Sequence, residues 1–66
     1  MKNNLKNIIK ENLTDISLNI NNKDIKILSM TCFWSKKNFS AIIKYYGVKY
    51  YCHYDNVLND VIIENA

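Results

Sequence analysis

Cys52-His53 is the one place in this chain where a nucleophile and a base stand next to each other. A thiolate activated by imidazole would be a covalent catalyst, but only if the ring lies within hydrogen-bond reach of the sulfur. The run from Val48 to Tyr54 alternates like a strand, and a strand sends successive side chains to opposite faces. The thiol then faces the core and the imidazole faces solvent, so no dyad forms. A metal centre fares no better. Cys32, Cys52 and His53, with no C-x-x-C and no second His, fall short of the four ligands of a structural zinc site. The acidic residues Glu11, Asp15, Asp24, Asp55, Asp60 and Glu64 are scattered over turns, caps and outer faces, with no pair set in a cleft to separate their pKa values. Gly47 is the only glycine, so there is no phosphate-cradling loop. The expectation is a protein that is not an enzyme and carries no cofactor.

The chemistry that remains is that of binding. If Tyr46-Gly47 is a two-residue hairpin loop, Lys44 and Lys49 stand directly opposite one another on the outer face of a sheet. Ser40, Ile42, Tyr46, Tyr51 and His53 share that face. Like charges across a strand pair are destabilising, so the placement asks for a reason. Lys44, Tyr46, Lys49, Tyr51 and His53 form a patch suited to stacking bases and neutralising phosphates, or to docking an acidic protein surface. The plainer reading is that lysine on an outer strand keeps the sheet soluble and blocks edge pairing. Lys2, Lys6 and Lys10 pose the same choice, since spacing at i and i+4 gathers them on one side of a first helix.

The elements that hold these residues follow from periodicity. Asn3 or Asn4 can cap a helix whose apolar stripe is Leu5, Ile8, Ile9 and Leu13. Thr14 to Ile20 alternates as a half-buried strand, and Asn21-Asn22-Lys23-Asp24 should turn the chain into a second strand from Ile25 to Trp34. In that strand the apolar phase slips from odd (Ile25, Ile27) to even (Leu28, Met30, Cys32, Trp34). Either a β-bulge near Ile27-Leu28 returns both sets to one face, the preferred reading for so small a sheet, or the sheet is apolar on both faces at this end, with Ile25 and Ile27 meeting Ile20 and Leu18. With Ser35 to Asn38 as a loop, Trp34, Cys32, Met30 and Leu28 lie opposite Phe39, Ala41, Ile43 and Tyr45. These in turn lie opposite Tyr54, Cys52, Tyr50 and Val48. Asp55 then caps a closing helix with the stripe Val57, Leu58, Val61 and Ile62. The predicted fold is α+β: one domain over residues 1–66, with a four-stranded antiparallel meander flanked by an N-terminal and a C-terminal helix (α-β-β-β-β-α) on its aromatic face.

Sixty-six residues are near the lower limit for a single core, which favours a flat binding surface over an enclosed active site. Nine lysines, eleven asparagines and ten isoleucines share A- and T-rich codons, and there is no arginine, the preferred side chain for base-specific readout. No run is long and apolar enough for a membrane span. On the expected register Cys32 and Cys52 flank Ala41 on either side, about 9 to 10 Å apart across two strand spacings, beyond disulfide reach. They read as free thiols, which suits a reducing cytoplasm.

In its size, and in the order of a short Lys/Asn-rich helix, a meander from Asp15 to Tyr54 and a closing helix from Asp55, the chain resembles the small phage-encoded inhibitors of bacterial immunity, such as some anti-CRISPR proteins. The resemblance covers the whole chain through architecture and composition, not through a motif. It implies a non-enzymatic protein of the bacterial cytoplasm that occupies a surface on a larger host protein or ribonucleoprotein complex. Several such inhibitors are acidic nucleic-acid mimics, whereas this chain has a net charge of +3. A small basic nucleic-acid-binding domain without sequence preference is the alternative. Self-association as a homodimer through open strand edges is compatible with both.

Overall fold

The computed structural model describes residues 2–14, 18–31 and 38–66. Helix α1, Lys2–Asn12, is followed by strands β1 (Ile25–Thr31), β2 (Ser40–Tyr45), β3 (Val48–Asp55) and β4 (Asp60–Asn65). The strands form one antiparallel sheet in the order β1-β2-β3-β4, a meander in which each strand pairs with its sequence neighbour. The fold is α+β, and among the described residues the one helix is N-terminal.

The β2–β3 hairpin is the one the sequence predicts. Ala41 pairs with Cys52, Ile43 with Tyr50, Tyr45 with Val48, and Lys44 with Lys49. Tyr46 and Gly47 both have positive φ, 49° and 79°, as the tight turn matching strand twist requires. Ile43 is fully buried where β1 and β3 flank it with Ile27 and Tyr50. Leu5 and Ile9 of α1 cover this inner face together with Leu18, so the core is Phe39, Ala41, Ile43, Tyr45, Tyr50, Cys52 and Val61 under one helix. Ile8 and Leu13 pack at its margin, completing the expected helical stripe.

The closing helix is a correction. Asp55 does cap a turn, its Oδ1 accepting the N–H groups of Val57 and Leu58 at 2.8 and 3.0 Å. The turn then stops at Asn59, whose φ of 56° is left-handed and whose Oδ1 accepts the Tyr54 hydroxyl at 2.8 Å. From Asp60 the chain returns as β4, with Val61 opposite Tyr54 and Ile63 opposite Cys52. Val61-Ile62-Ile63 is a β-branched run that suits a strand better than a helix, and β4 satisfies the backbone edge a helix would have left open on β3. Val57 and Leu58, assigned by sequence to a buried helical stripe, are 93% and 65% exposed at the hairpin tip.

Three further expectations change. Asn3 and Asn4 do not cap α1, because the helix already begins at Lys2. Of the strand expected over Thr14 to Ile20, the described residues, Thr14 and Leu18 to Ile20, are not part of the sheet. Residues 15–17 lie outside the described residues, while Leu18 makes an isolated antiparallel bridge to Leu13, and Asn19 N–H donates to the Asn12 carbonyl at 3.2 Å. The segment thus folds back on the end of α1 and delivers Leu18 to the core. The expected β-bulge is present, at Leu28, but the register on β1 differs: Ile25 faces Tyr45, Ile27 faces Ile43, and Met30 faces Ala41 rather than Ile43. Ile25 and Ile27 pack, partly buried, against the core, while Leu28 and Met30 are 40% and 42% exposed. Cys32, Phe33, Trp34 and residues 35–37 of the expected Ser35–Asn38 loop lie outside the described residues, so the predicted pairs Cys32–Ala41 and Trp34–Phe39 do as well.

Candidate functional site: the outer face of the sheet

Because residues paired across antiparallel strands share a face, the register gives the outer surface as rows running across the sheet. One row is Thr31, Ser40, His53 and Ile62; the next is Ser29, Ile42, Tyr51 and Glu64. The third is Lys26, Lys44 and Lys49 on β1, β2 and β3. β4 ends short of this row, where Ala66 N–H donates to the Lys49 carbonyl at 3.2 Å. All three lysines are exposed, and none makes an ion pair among the described residues. Three like charges at successive strand spacings, about 4.8 Å each in the sheet, are a repulsive arrangement left uncompensated.

Beside the row, Tyr51 and His53 stack along β3 with ring centroids 5.0 Å apart and planes inclined by 21°. His53 Nε2 lies 3.8 Å from Glu64 Oε2 on β4. Of the five residues singled out by sequence, the structure brings together Lys44, Lys49, Tyr51 and His53. Tyr46 is set apart in the hairpin turn. Its hydroxyl donates to Asp24 Oδ2 at 3.0 Å, its N–H donates to the Asp24 carbonyl at 3.2 Å, and its ring meets Tyr45 edge-on at 4.6 Å. The hydrogen bond to the Asp24 carboxylate raises the Tyr46 phenol pKa above 10.0. Tyr46 therefore clamps β2 to the turn before β1 and belongs to the scaffold of the site.

Lys26 is the residue that sequence reasoning missed. Its signal was present, since a bulge at Leu28 puts Lys26 in phase with Lys44. It became visible only once Ile27 was set opposite Ile43.

The other basic series is accounted for internally. Lys6 Nζ lies 2.6 Å from Asp60 Oδ2 and Lys10 Nζ 3.3 Å from Asp60 Oδ1, so two of the three helix lysines fix α1 against the β4 edge. The Lys6 ammonium, with help from the Val61 N–H and Lys10, holds the Asp60 carboxyl at about 2.

Cys52 is fully buried on the inner face and His53 lies on the outer one, so the pair is divided as the alternation requires. Burial pushes the Cys52 thiol up to about 12, which keeps it protonated and unreactive. Among the described residues no group of three or more His, Cys, Asp or Glu could hold a metal ion, and no helix is long and apolar enough to cross a membrane. Two shallow hollows flank α1. One, about 110 Å³, is lined by Lys10, Leu13, Tyr54, Asn59, Asp60 and Val61; the other, about 230 Å³, by Lys2, Asn3, Lys6, Val61, Ile62 and Ile63. Both are below the roughly 300 to 1,000 Å³ of small-molecule sites. No protein family, curated protein or solved structure was found to match this chain.

Proposed function

We propose that this chain is a non-enzymatic binding protein that docks the outer face of its sheet on a larger partner and acts by occupying that partner's surface. The observation that carries the reading is the row Lys26–Lys44–Lys49, exposed and without ion pairs among the described residues, beside the stacked Tyr51–His53 pair. A partner with negative charge would relieve the repulsion in the row, and exposed tyrosine supplies contact area at low rotamer cost. The partner class that fits is an acidic surface on a larger protein or ribonucleoprotein complex. An inhibitor of bacterial immunity would work in this way, needing a surface and no active site. The closing strand, however, removes one of the elements on which that resemblance rested, so the proposal stands on the outer face.

The test is capture from bacterial lysate, with and without nuclease treatment, comparing the tagged full chain with its Lys49→Ala/Tyr51→Ala variant. Both residues are exposed, so the variant should keep the native circular dichroism spectrum. The expected result is a stoichiometric partner retained by the natural chain and lost by the variant. Equal retention by the folded variant would remove the outer face as the contact.

A further inference from the structure

We infer that the ligand of the lysine row is the phosphate backbone of single-stranded nucleic acid, with a base laid against the Tyr51–His53 pair. The inference rests on the outer-face reading and names the chemistry it recognises. Lys26, Lys44 and Lys49 are in register on neighbouring strands, so their stems are spread over about 9 to 10 Å perpendicular to the strands. One carboxylate or one phosphate cannot satisfy three charges over that span; a chain of regularly repeated anions can. Lysine ammoniums suit such a chain, being point charges on flexible stems that follow phosphates without a fixed fork geometry.

The aromatic pair supplies the second half of a single-strand platform. Tyr51 is two residues from Lys49 on the same face, about 7 Å along β3, and is 39% exposed with its ring stacked on His53. Stacking of bases on such rings is tolerant of sequence, and it requires unpaired bases, which a duplex does not offer. Acidic neighbours lie at both ends of the row: Asp24, just before β1, and Glu64, opposite Tyr51 on β4, which would repel phosphates that strayed toward them. The backbone then crosses the strands from β1 to β3. An acidic polypeptide would satisfy the lysines and gain contact area from Tyr51, whereas a single strand also gains base stacking on the ring pair. Without arginine the face reads no base identity, so binding should be weak and indifferent to sequence.

The test is fluorescence anisotropy of a labelled oligothymidylate titrated with the full chain across a salt series. Three neutralised phosphates on a single strand give a slope of log affinity against log salt of about −2, or roughly a 20-fold loss from about 50 to 200 mM salt. Lys44→Gln should flatten that slope by about 0.7. Tyr51→Ala should weaken binding about tenfold and leave the slope unchanged. Absence of binding at low salt, or a slope unaffected by Lys44→Gln, would overturn the inference. So would an oligoglutamate peptide that binds as tightly through the same lysines, and the partner would then be an acidic polypeptide. If the oligonucleotide fails while Lys49→Ala/Tyr51→Ala still abolishes capture of a lysate partner, the outer-face reading survives and this inference alone falls.

Discussion

Lys44 is paired with Lys26 on one side and Lys49 on the other, so Lys44→Glu converts two repulsive cross-strand pairs into two attractive ones at a single exposed position. Cross-strand charge pairs are each worth roughly 0.2–1 kcal/mol, and solvent exposure places these toward the lower part of that range. Two pairs that both change sign should stabilise the fold by about 1 kcal/mol. Lys and Glu are both poor strand formers, so intrinsic propensity cancels and the electrostatic change dominates. In a domain of this size about 1 kcal/mol raises Tm by roughly 4–8 °C. The assay is thermal and urea unfolding of both proteins at low and high salt. The Debye length shrinks from about 30 Å at 0.01 M to about 3 Å at 1 M, so the gain should be largest in dilute buffer and fade as salt rises. Lys44→Gln, which removes repulsion without adding attraction, should give about half the effect. A Lys44→Glu protein no more stable than the natural one at low salt, or a gain indifferent to salt, would refute the reasoning. The same substitution should weaken oligothymidylate binding, so that the more stable protein is the poorer binder.

Three other outcomes follow from the structure. Gly47→Ala meets no atom within 4 Å of the added Cβ, so its cost is that of forcing alanine to a φ of 79°, about 1–2 kcal/mol in a urea melt; an unchanged midpoint would mean the turn is not built this way. In a Cys32→Ser background, Cys52 should resist thiol reagents in native buffer and react only as denaturant unfolds the chain, because burial holds its pKa at about 12; rapid native labelling would contradict its placement. Asp60 has its pKa lowered from 3.8 to about 2, chiefly by the Lys6 ammonium, so its stabilising contribution is present above 3.8 and is lost as pH falls through about 2. Asp60→Asn should therefore lower stability at neutral pH and flatten the loss of stability across that acidic window. Parallel acid profiles for the two proteins would count against the Lys6–Asp60 contact.

Where local chemistry had one solution, it could be read from the residues. Tyr46-Gly47 between two alternating runs left one hairpin register that buries Ala41, Ile43, Tyr45, Tyr50 and Cys52 together, and the lysine pair came with it. The phase slip at Ile27-Leu28 likewise had to become a bulge or expose one apolar set. Asp55 to Ile62 had two solutions. An aspartate cap followed by apolar residues at 57, 58, 61 and 62 describes an amphipathic helix, and equally a capped turn leading into a strand. The choice was made by the left-handed Asn59, the β-branched run after it and the open edge of β3, and only the last of these is a tertiary effect. The β1 register was hidden for a related reason. Ile25 and Ile27 pack against the core opposite Tyr45 and Ile43 in place of Leu28 and Met30, and Lys26 falls in line with Lys44 and Lys49.

The most direct measurement is an amide chemical-shift map of the full chain titrated with oligothymidylate at low salt. The account predicts that perturbations concentrate on Lys26, Lys44, Lys49, Tyr51 and His53, with the fully buried Ile43 and Cys52 and the tip residues Val57 and Leu58 left in place. Perturbation confined to α1 around Lys2, Lys6 and Lys10, or to the Val57-Leu58 tip, would contradict it and move the binding surface off the sheet.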